Sequence, residues 1–238
     1  MAQSEFDAAK FNTALIVGAG AGLSASLARV LAKDGVKIAL AARSTDDLAP
    51  LLHETGARAF ACDATKRAEV EKLFADLDAS FGAPEIVIYN ASFRTRGPFV
   101  DLEPADVEKS LAVTAFGAFL VAREAVRRML PKRRGAILFT GASASMKGYA
   151  QSATFAMGKF ALRGLAQSMA RELHPQGIHV AHIVIDGGIR SARRAEPSDQ
   201  PASLLDPDAI AATYLHVIHQ PRSAWSAEVE LRPWLEKF

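Results

Sequence analysis

Several common features are scarce in this 238-residue sequence, and each scarcity excludes a class of protein. A single cysteine, Cys62, leaves no internal disulfide and no thiolate partners at zinc-ligand spacing, so the expected setting is a reducing one, the cytoplasm. No apolar run reaches the roughly 18 residues of a membrane span, and the start, "MAQSEFDAAKF", lacks the basic stretch and apolar segment of a secretion signal. No membrane partner is expected. Basic residues exceed acidic ones by only 28 to 26, a net charge of +2, which is too little to argue for a nucleic-acid partner. The basic cluster "RRMLPKRRG" has no interleaved aromatics and reads as a solvated turn. The six histidines stand without carboxylates at metal-ligand spacing: His53 on a surface helix, and His174, His179, His182, His216 and His219 late in the chain. No metal is expected.

What is present is apolar sequence in an ordered pattern: half of the residues are hydrophobic, enough for a sizeable core. Short β-branched or apolar runs, "TALIV" (13–17), "VKIALAA" (36–42), "ARAFAC" (57–62), "EIVIY" (85–89), "AILFT" (136–140) and "IHVAHIVI" (178–185), alternate with longer helical patterns. This alternation predicts an α/β fold, a doubly wound parallel sheet with helices on both faces in three α/β/α layers. A seventh strand is expected around 225–231. Leu23, Leu27, Val30 and Leu31 mark one face of a helix that Gly35 is placed to end. Pro104, Val107, Leu111, Phe119 and Val126 predict one long helix over 104–130, stopped by Pro131. The polar, Pro-bearing stretch 190–206, "RSARRAEPSDQPASLLD", predicts a mobile flap. No repeat or composition break divides the chain, so residues 1–238 read as one domain.

Directly after the first run comes "VGAGAGLSASLARVLAKDG". Gly18, Gly20 and Gly22 allow backbone to approach a pyrophosphate and turn into a helix whose N-terminal amides favour the anion. A tight strand-to-helix turn without a ligand would also want glycine. At the end of the second strand Ala42 and Arg43 stand where an NAD site usually presents a carboxylate to the ribose. A guanidinium there either pairs with a 2′-phosphate, favouring NADP over NAD, or is an ordinary surface charge.

With these landmarks the chain resembles the short-chain dehydrogenases/reductases from about residue 12 onward, which implies a Rossmann fold. Gly18 and Gly22 match the family's glycine turn, Leu23 follows, and Ser24 replaces its last glycine. Asp63, closing the third strand, matches the acid that bonds the adenine amino group. "NAS" at 90–92 matches Asn-Ala-Gly, with Asn90 supporting the sheet beside Ala91. "DGGIRS" follows the sixth strand, so the resemblance puts Gly187, Ile189 and Ser191 near a nicotinamide carboxamide, with Asp186 replacing a proline. It also implies assembly as a homodimer or homotetramer, through the seventh-strand edge and the long helices. An exposed Trp and Phe in the C-terminal tail would fit such a contact or pack on their own subunit.

The family's working group resembles a relay of Asn, Ser, Tyr and Lys, in which Tyr passes a proton while Lys lowers its pKa and binds the ribose. Lys159 matches the Lys, or else is a surface Lys. Phe155, one helical turn earlier, occupies the Tyr position and has no proton to give; it either packs in the core or shapes an apolar pocket. The Ser position falls on Ala142, so that serine is absent or shifted to Ser143, with Ser145 weaker. The Asn position falls on Thr114. For Thr114 and Ser143, structural hydrogen bonding is an equal alternative to a role in the site. Tyr149 and Ser152 offer replacement donors without the family spacing. Arg94 and Arg96, in "NASFRTRG", are solvated loop charges or, facing the pocket, favour an anionic small-molecule substrate. Two functions remain in play: an NADP-dependent oxidoreductase acting on a small carbonyl, alcohol or activated enoyl compound, and an NADP-binding regulatory or scaffold protein that has lost turnover.

Overall fold

The computed structural model describes residues 10–236 of the chain. Its strands are β1 (Thr13–Val17), β2 (Lys37–Ala42), β3 (Arg58–Ala61), β4 (Ile86–Tyr89), β5 (Gly135–Thr140), β6 (Ile178–Ile185) and β7 (Glu228–Leu231). They form one sheet in the order β3-β2-β1-β4-β5-β6-β7, every neighbouring pair parallel. Each apolar run became a strand because both of its faces are covered. β4, β5 and β6 are buried at every position, which an edge or half-solvated strand would not tolerate.

Two cores lie on opposite faces of the sheet. One packs α1 (Leu23–Lys33), α2 (Ala49–Thr55) and α7 (Pro207–Ile218) over Ile16, Leu40 and Ile183. The other packs α3 (Arg67–Ser80), α5 (Gly117–Met129) and α6 (Ala153–Leu173) over Leu15, Val87 and Ile137. α6 carries an apolar stripe into this core: Leu162 and Leu173 are buried, and Leu165 and Met169 pack partly against it. α1 ends as foreseen, with Gly35 at φ +82°.

The long helix differs from expectation. α4 (Pro104–Leu111) and α5 are joined by a π-helical segment, Ala112–Phe116, so the element is broken in its middle. The Gly117 amide bonds back to Ala112 O, five residues earlier, which frees the Val113 carbonyl to accept the Tyr89 hydroxyl. Gly117 is required beneath that contact, since a Cβ would lie 2.5 Å from the Tyr89 oxygen. An apolar periodicity cannot show such a one-residue widening. The strand order reverses between β1 and β4, and that switch point opens the crevice in which ligands of doubly wound sheets bind. Among the described residues no helix is long and apolar enough to cross a membrane.

Candidate active site

Two adjoining cavities open at the carboxyl ends of the strands. The smaller, about 600 Å³, lies over β1, β2 and β3 and is walled by Gly18, Ala19, Ala42, Arg43, Asp63 and Ala91. Its floor comes from small residues. Gly18 stands at φ +85°, and a Cβ there would meet the Ala91 amide nitrogen at 2.5 Å. A side chain is therefore excluded on both conformational and steric grounds. Gly20 and Gly22 have open space where a Cβ would stand, which leaves room for a ligand to reach their backbone. Ser24 ties the turn together: its buried hydroxyl donates to Gly18 O and accepts from Asn90 Nδ2, both at 2.8 Å. The sequence did not show this bridge.

Arg43 is exposed at the mouth of this cavity. Asp63 Oδ1 accepts from the Thr65 amide and hydroxyl, whereas Oδ2 has only Lys66, at 4.0 Å. Burial alone would raise the Asp63 carboxyl, but the Thr65 hydrogen bonds and the charges of Lys66 and Arg43 hold it below its ordinary value. Cys62 also lines the cleft, its thiol pushed up to about 11 by burial and then by Glu69 and Asp63, so it is an unreactive wall. Lys109, which sequence reasoning passed over, reaches the same wall and lies 4.3 Å from the Phe93 ring centroid.

The larger cavity, about 960 Å³, shares Asn90 and Ser92 with the first. Leu23, Ala142, Ser143, Phe155, Lys159, Gly187, Ile189 and Ser191 all line it. Lys159 sits at its base, 3% exposed, its Nζ donating to Thr140 O at 2.6 Å. No carboxylate pairs with it among the described residues, and burial lowers its pKa to about 7. The Phe155 ring is half-buried, with Lys159 Nζ over it at 5.7 Å and the Arg94 guanidinium carbon at 5.2 Å. Phe155 thus faces the cavity.

Other relay positions part company. Thr114, in the π segment, is fully buried and lines neither cavity; its hydroxyl accepts from the Phe93 amide at 3.4 Å. Ser145 is fully buried and accepts from the Ala142 amide at 3.1 Å. Of the tyrosines, Tyr89 donates to Val113 O and Tyr214 is bonded to the Thr140 hydroxyl at 2.8 Å, both fully buried. Tyr149 alone borders the cavity, half-exposed beside Lys147.

The cavity's outer wall is basic. Arg94 and Arg96 line it, joined by Arg190, Arg193 and Arg194 from the segment after β6. Three of these five escaped notice, although "RSARR" directly after the sixth strand signals them. Asp186, also on the wall, is held by Arg232 at 2.6 Å. No group of three or more His, Cys, Asp or Glu that could hold a metal ion occurs among the described residues.

Comparison with known proteins places this geometry. The family model described as short chain dehydrogenase matches residues 12–201. An uncharacterised oxidoreductase of Staphylococcus aureus strain N315 is 27% identical over 226 residues, covering 92% of this chain and 96% of that one. Among solved structures, a short-chain dehydrogenase from Rhodopseudomonas palustris is 35% identical, covers 94% of this chain and 99% of its own, and superposes with a TM-score of 0.81. A metagenomic short-chain oxidoreductase, solved in complex with NADP, is 25% identical, covers 98% of this chain and 100% of its own, and gives a TM-score of 0.82.

Proposed function

The chain belongs to the short-chain dehydrogenase family, and from that premise we propose that it is an NADP(H)-dependent oxidoreductase acting on a small carbonyl or alcohol, or on an activated enoyl compound. The observation that carries this reading is a buried amine, Lys159, at the base of a cavity continuous with a glycine-walled cleft. The fit to a dinucleotide is good: the Gly18 cradle and the N-terminus of α1 suit a pyrophosphate. Arg43 suits a 2′-phosphate, and Asp63, through Oδ2, an adenine amino group. Asn90 lies where the cavities meet, Ala91 walls the smaller one beside it, and Lys159 would bind the second ribose. Gly187, Ile189 and Ser191 would meet the carboxamide, under a flap formed by 190–206. NADP-bound crystals of the metagenomic relative favour this coenzyme over NAD.

When bound, the reduced coenzyme supplies hydride to an electrophilic carbon. The chain's own contribution is to orient that carbon and stabilise the charge that follows. Phe155 has no proton for a developing alkoxide, so protonation falls to water or to Tyr149, the tyrosine on the cavity wall. Reduction of an activated double bond demands less of such a site. Exposed Phe116, Phe119, Met157 and Phe160 on α5, α6 and the π segment support a homodimer or homotetramer. Trp234, 75% exposed, donates to Pro201 O in the 190–206 segment, while Phe238 lies outside the described residues.

A second reading, an NADP-binding protein without turnover, is favoured by Phe155 together with the Thr114 hydroxyl, which is turned to the Phe93 amide. Calorimetric titration with NADPH and NADH, followed by a carbonyl and enoyl panel, separates the two. An oxidoreductase binds NADPH more tightly and oxidises it with at least one compound. Binding with no turnover on any compound supports the second reading, and failure to bind either coenzyme overturns both.

A further inference from the structure

The basic wall of the larger cavity is not accounted for by coenzyme binding. Arg94 and Arg96 line the reaction cavity and not the nucleotide cleft. Their loop is pinned on alternate residues: Phe93 N to the Thr114 hydroxyl (3.4 Å), Thr95 O from the Thr154 hydroxyl (2.7 Å) and Gly97 N to Gln151 O (3.2 Å). Residues 93, 95 and 97 are therefore tied to the π segment, to α6 and to the turn before it, while 94 and 96 are exposed on the cavity wall. Thr114 serves this loop through the Phe93 amide. Arg193 and Arg194, from the segment after β6, line the same cavity. Arg190 is neutralised by Asp206 at 2.5 Å, and Asp186 by Arg232. None of Arg94, Arg96, Arg193 and Arg194 forms an ion pair among the described residues, and the remaining acid on the wall is the exposed Glu236. Burial, and then the charges of Arg96 and Arg194, push the Arg94 guanidinium below its ordinary value. Like charges held together on a fixed loop are relieved by an anion.

We propose that Arg94 and Arg96, closed over by Arg193 and Arg194, form the subsite for an oxyanion on the substrate, so that this site takes small carbonyl or enoyl compounds bearing a carboxylate or phosphate. The Arg94 guanidinium lies against the same Phe155 ring as Lys159, which sets the anion one aromatic ring away from the amine. The position of Phe155 then has a use: an apolar spacer and cation–π partner for Arg94 in place of a proton donor. This rests on the oxidoreductase reading for the carbonyl or enoyl part of the substrate, and on the cluster alone for the anionic part.

The test is calorimetric binding to NADPH-loaded protein of two matched pairs, 4-oxopentanoate with its methyl ester and dihydroxyacetone phosphate with dihydroxyacetone. NADPH oxidation is followed in parallel. At least one anion is expected to bind about tenfold or more tightly than its neutral partner. The Arg94→Ala/Arg96→Ala double variant should lose that preference with NADPH affinity unchanged, while Arg94→Lys retains part of it. Which pair shows the preference distinguishes carboxylate from phosphate. Equal binding within both pairs overturns the subsite, as does a double variant whose main loss is NADPH affinity, since the arginines then serve the coenzyme. Anion binding without NADPH oxidation keeps the subsite and removes the oxidoreductase reading. Turnover of the neutral compounds without preference does the reverse.

Discussion

The two cavities meet at Asn90 and Ser92 yet are made of different material. Gly18, Ala19, Ala41, Ala42 and Ala91 wall the smaller cleft, which offers backbone, a turn held by Ser24 and the end of α1. Side chains wall the larger cavity: Phe155 from α6, and Arg94, Arg96, Tyr149 and the arginines after β6 from loops whose anchor points lie far apart in the chain. A cleft of backbone keeps its function as long as the strand ends keep their places, because any coenzyme of the same shape meets the same amides. A cavity of side chains changes its chemistry with each substitution. By the resemblance drawn from the sequence, the matching positions Gly18, Gly22 and Asp63 lie on or beside the first cavity, and the departures Phe155 and Ala142 lie on the second, as that contrast would lead one to expect.

The largest effect that would sharpen the contrast is a gain of function in the side-chain cavity. Phe155→Tyr, alone or with Ala142→Ser, is expected to raise NADPH-dependent reduction of simple ketones or aldehydes by about a hundred- to ten-thousand-fold, the usual contribution of a positioned general acid. NADPH affinity should barely move. Steady-state rates of the native protein and both variants on one carbonyl panel check it. Ordinary native rates with no gain in the variant would assign proton donation to another residue, and Tyr149→Phe is then the next substitution.

The backbone cleft should instead break when its shape is altered. Gly18→Ala forces a Cβ to 2.5 Å from the Ala91 amide nitrogen at a positive φ. The conformation alone costs of order 1–3 kcal/mol, and the contact adds to it. Thermal melts and NADPH titration should show loss of both stability and binding; a variant with native Tm and affinity would mean the turn is more plastic than its geometry. Next comes the charge at the cleft mouth. Arg43→Ala should weaken NADPH relative to NADH by about ten- to a hundred-fold, the worth of one charge-assisted contact of roughly 1.5–3 kcal/mol. An unchanged ratio of the two dissociation constants would make Arg43 a surface residue and leave the NADP preference without a cause.

The smallest expected effect lies at Lys159, at the base of the larger cavity. Its folded pKa of about 7 is below the ordinary 10.5, because burial disfavours the ammonium. Between those values the unfolded chain holds a proton that the folded coenzyme-free protein has released, so stability from this group rises with pH across that window and is least below it. Lys159→Met should therefore raise the coenzyme-free Tm at pH 7 by a few degrees and flatten its rise toward pH 10, while weakening NADPH binding. A variant with native Tm at both pH values and native affinity would place the amine outside both roles.

How much could be read in advance follows the same division. Strand runs, the end of α1 at Gly35, the glycine turn and the Phe155–Lys159 spacing are local: a run, a turn or one helical face carries the information within a few residues. The π segment at Ala112–Phe116 was not legible, because it depends on Tyr89, from β4, reaching the Val113 carbonyl. Nor was the bridge from Asn90 through Ser24 to Gly18, in which Asn90 and Ser24 are 66 residues apart in sequence. Thr114 looked equally like a site residue and a structural one, and only its distance from both cavities and its contact with Phe93 distinguish them.

The sequence by itself determined the parallel sheet, the strand ends that carry the glycine turn and the absence of a hydroxyl at position 155, because periodicity, backbone freedom and side-chain identity are properties of neighbours in the chain. Tertiary structure alone decided that Arg94, Arg96, Arg193 and Arg194 face one cavity and that the Lys159 amine is buried against the Thr140 carbonyl. Charge and burial depend on which distant segments the sheet brings together. A lysine or an arginine therefore has the same letter whether water or a cavity wall surrounds it.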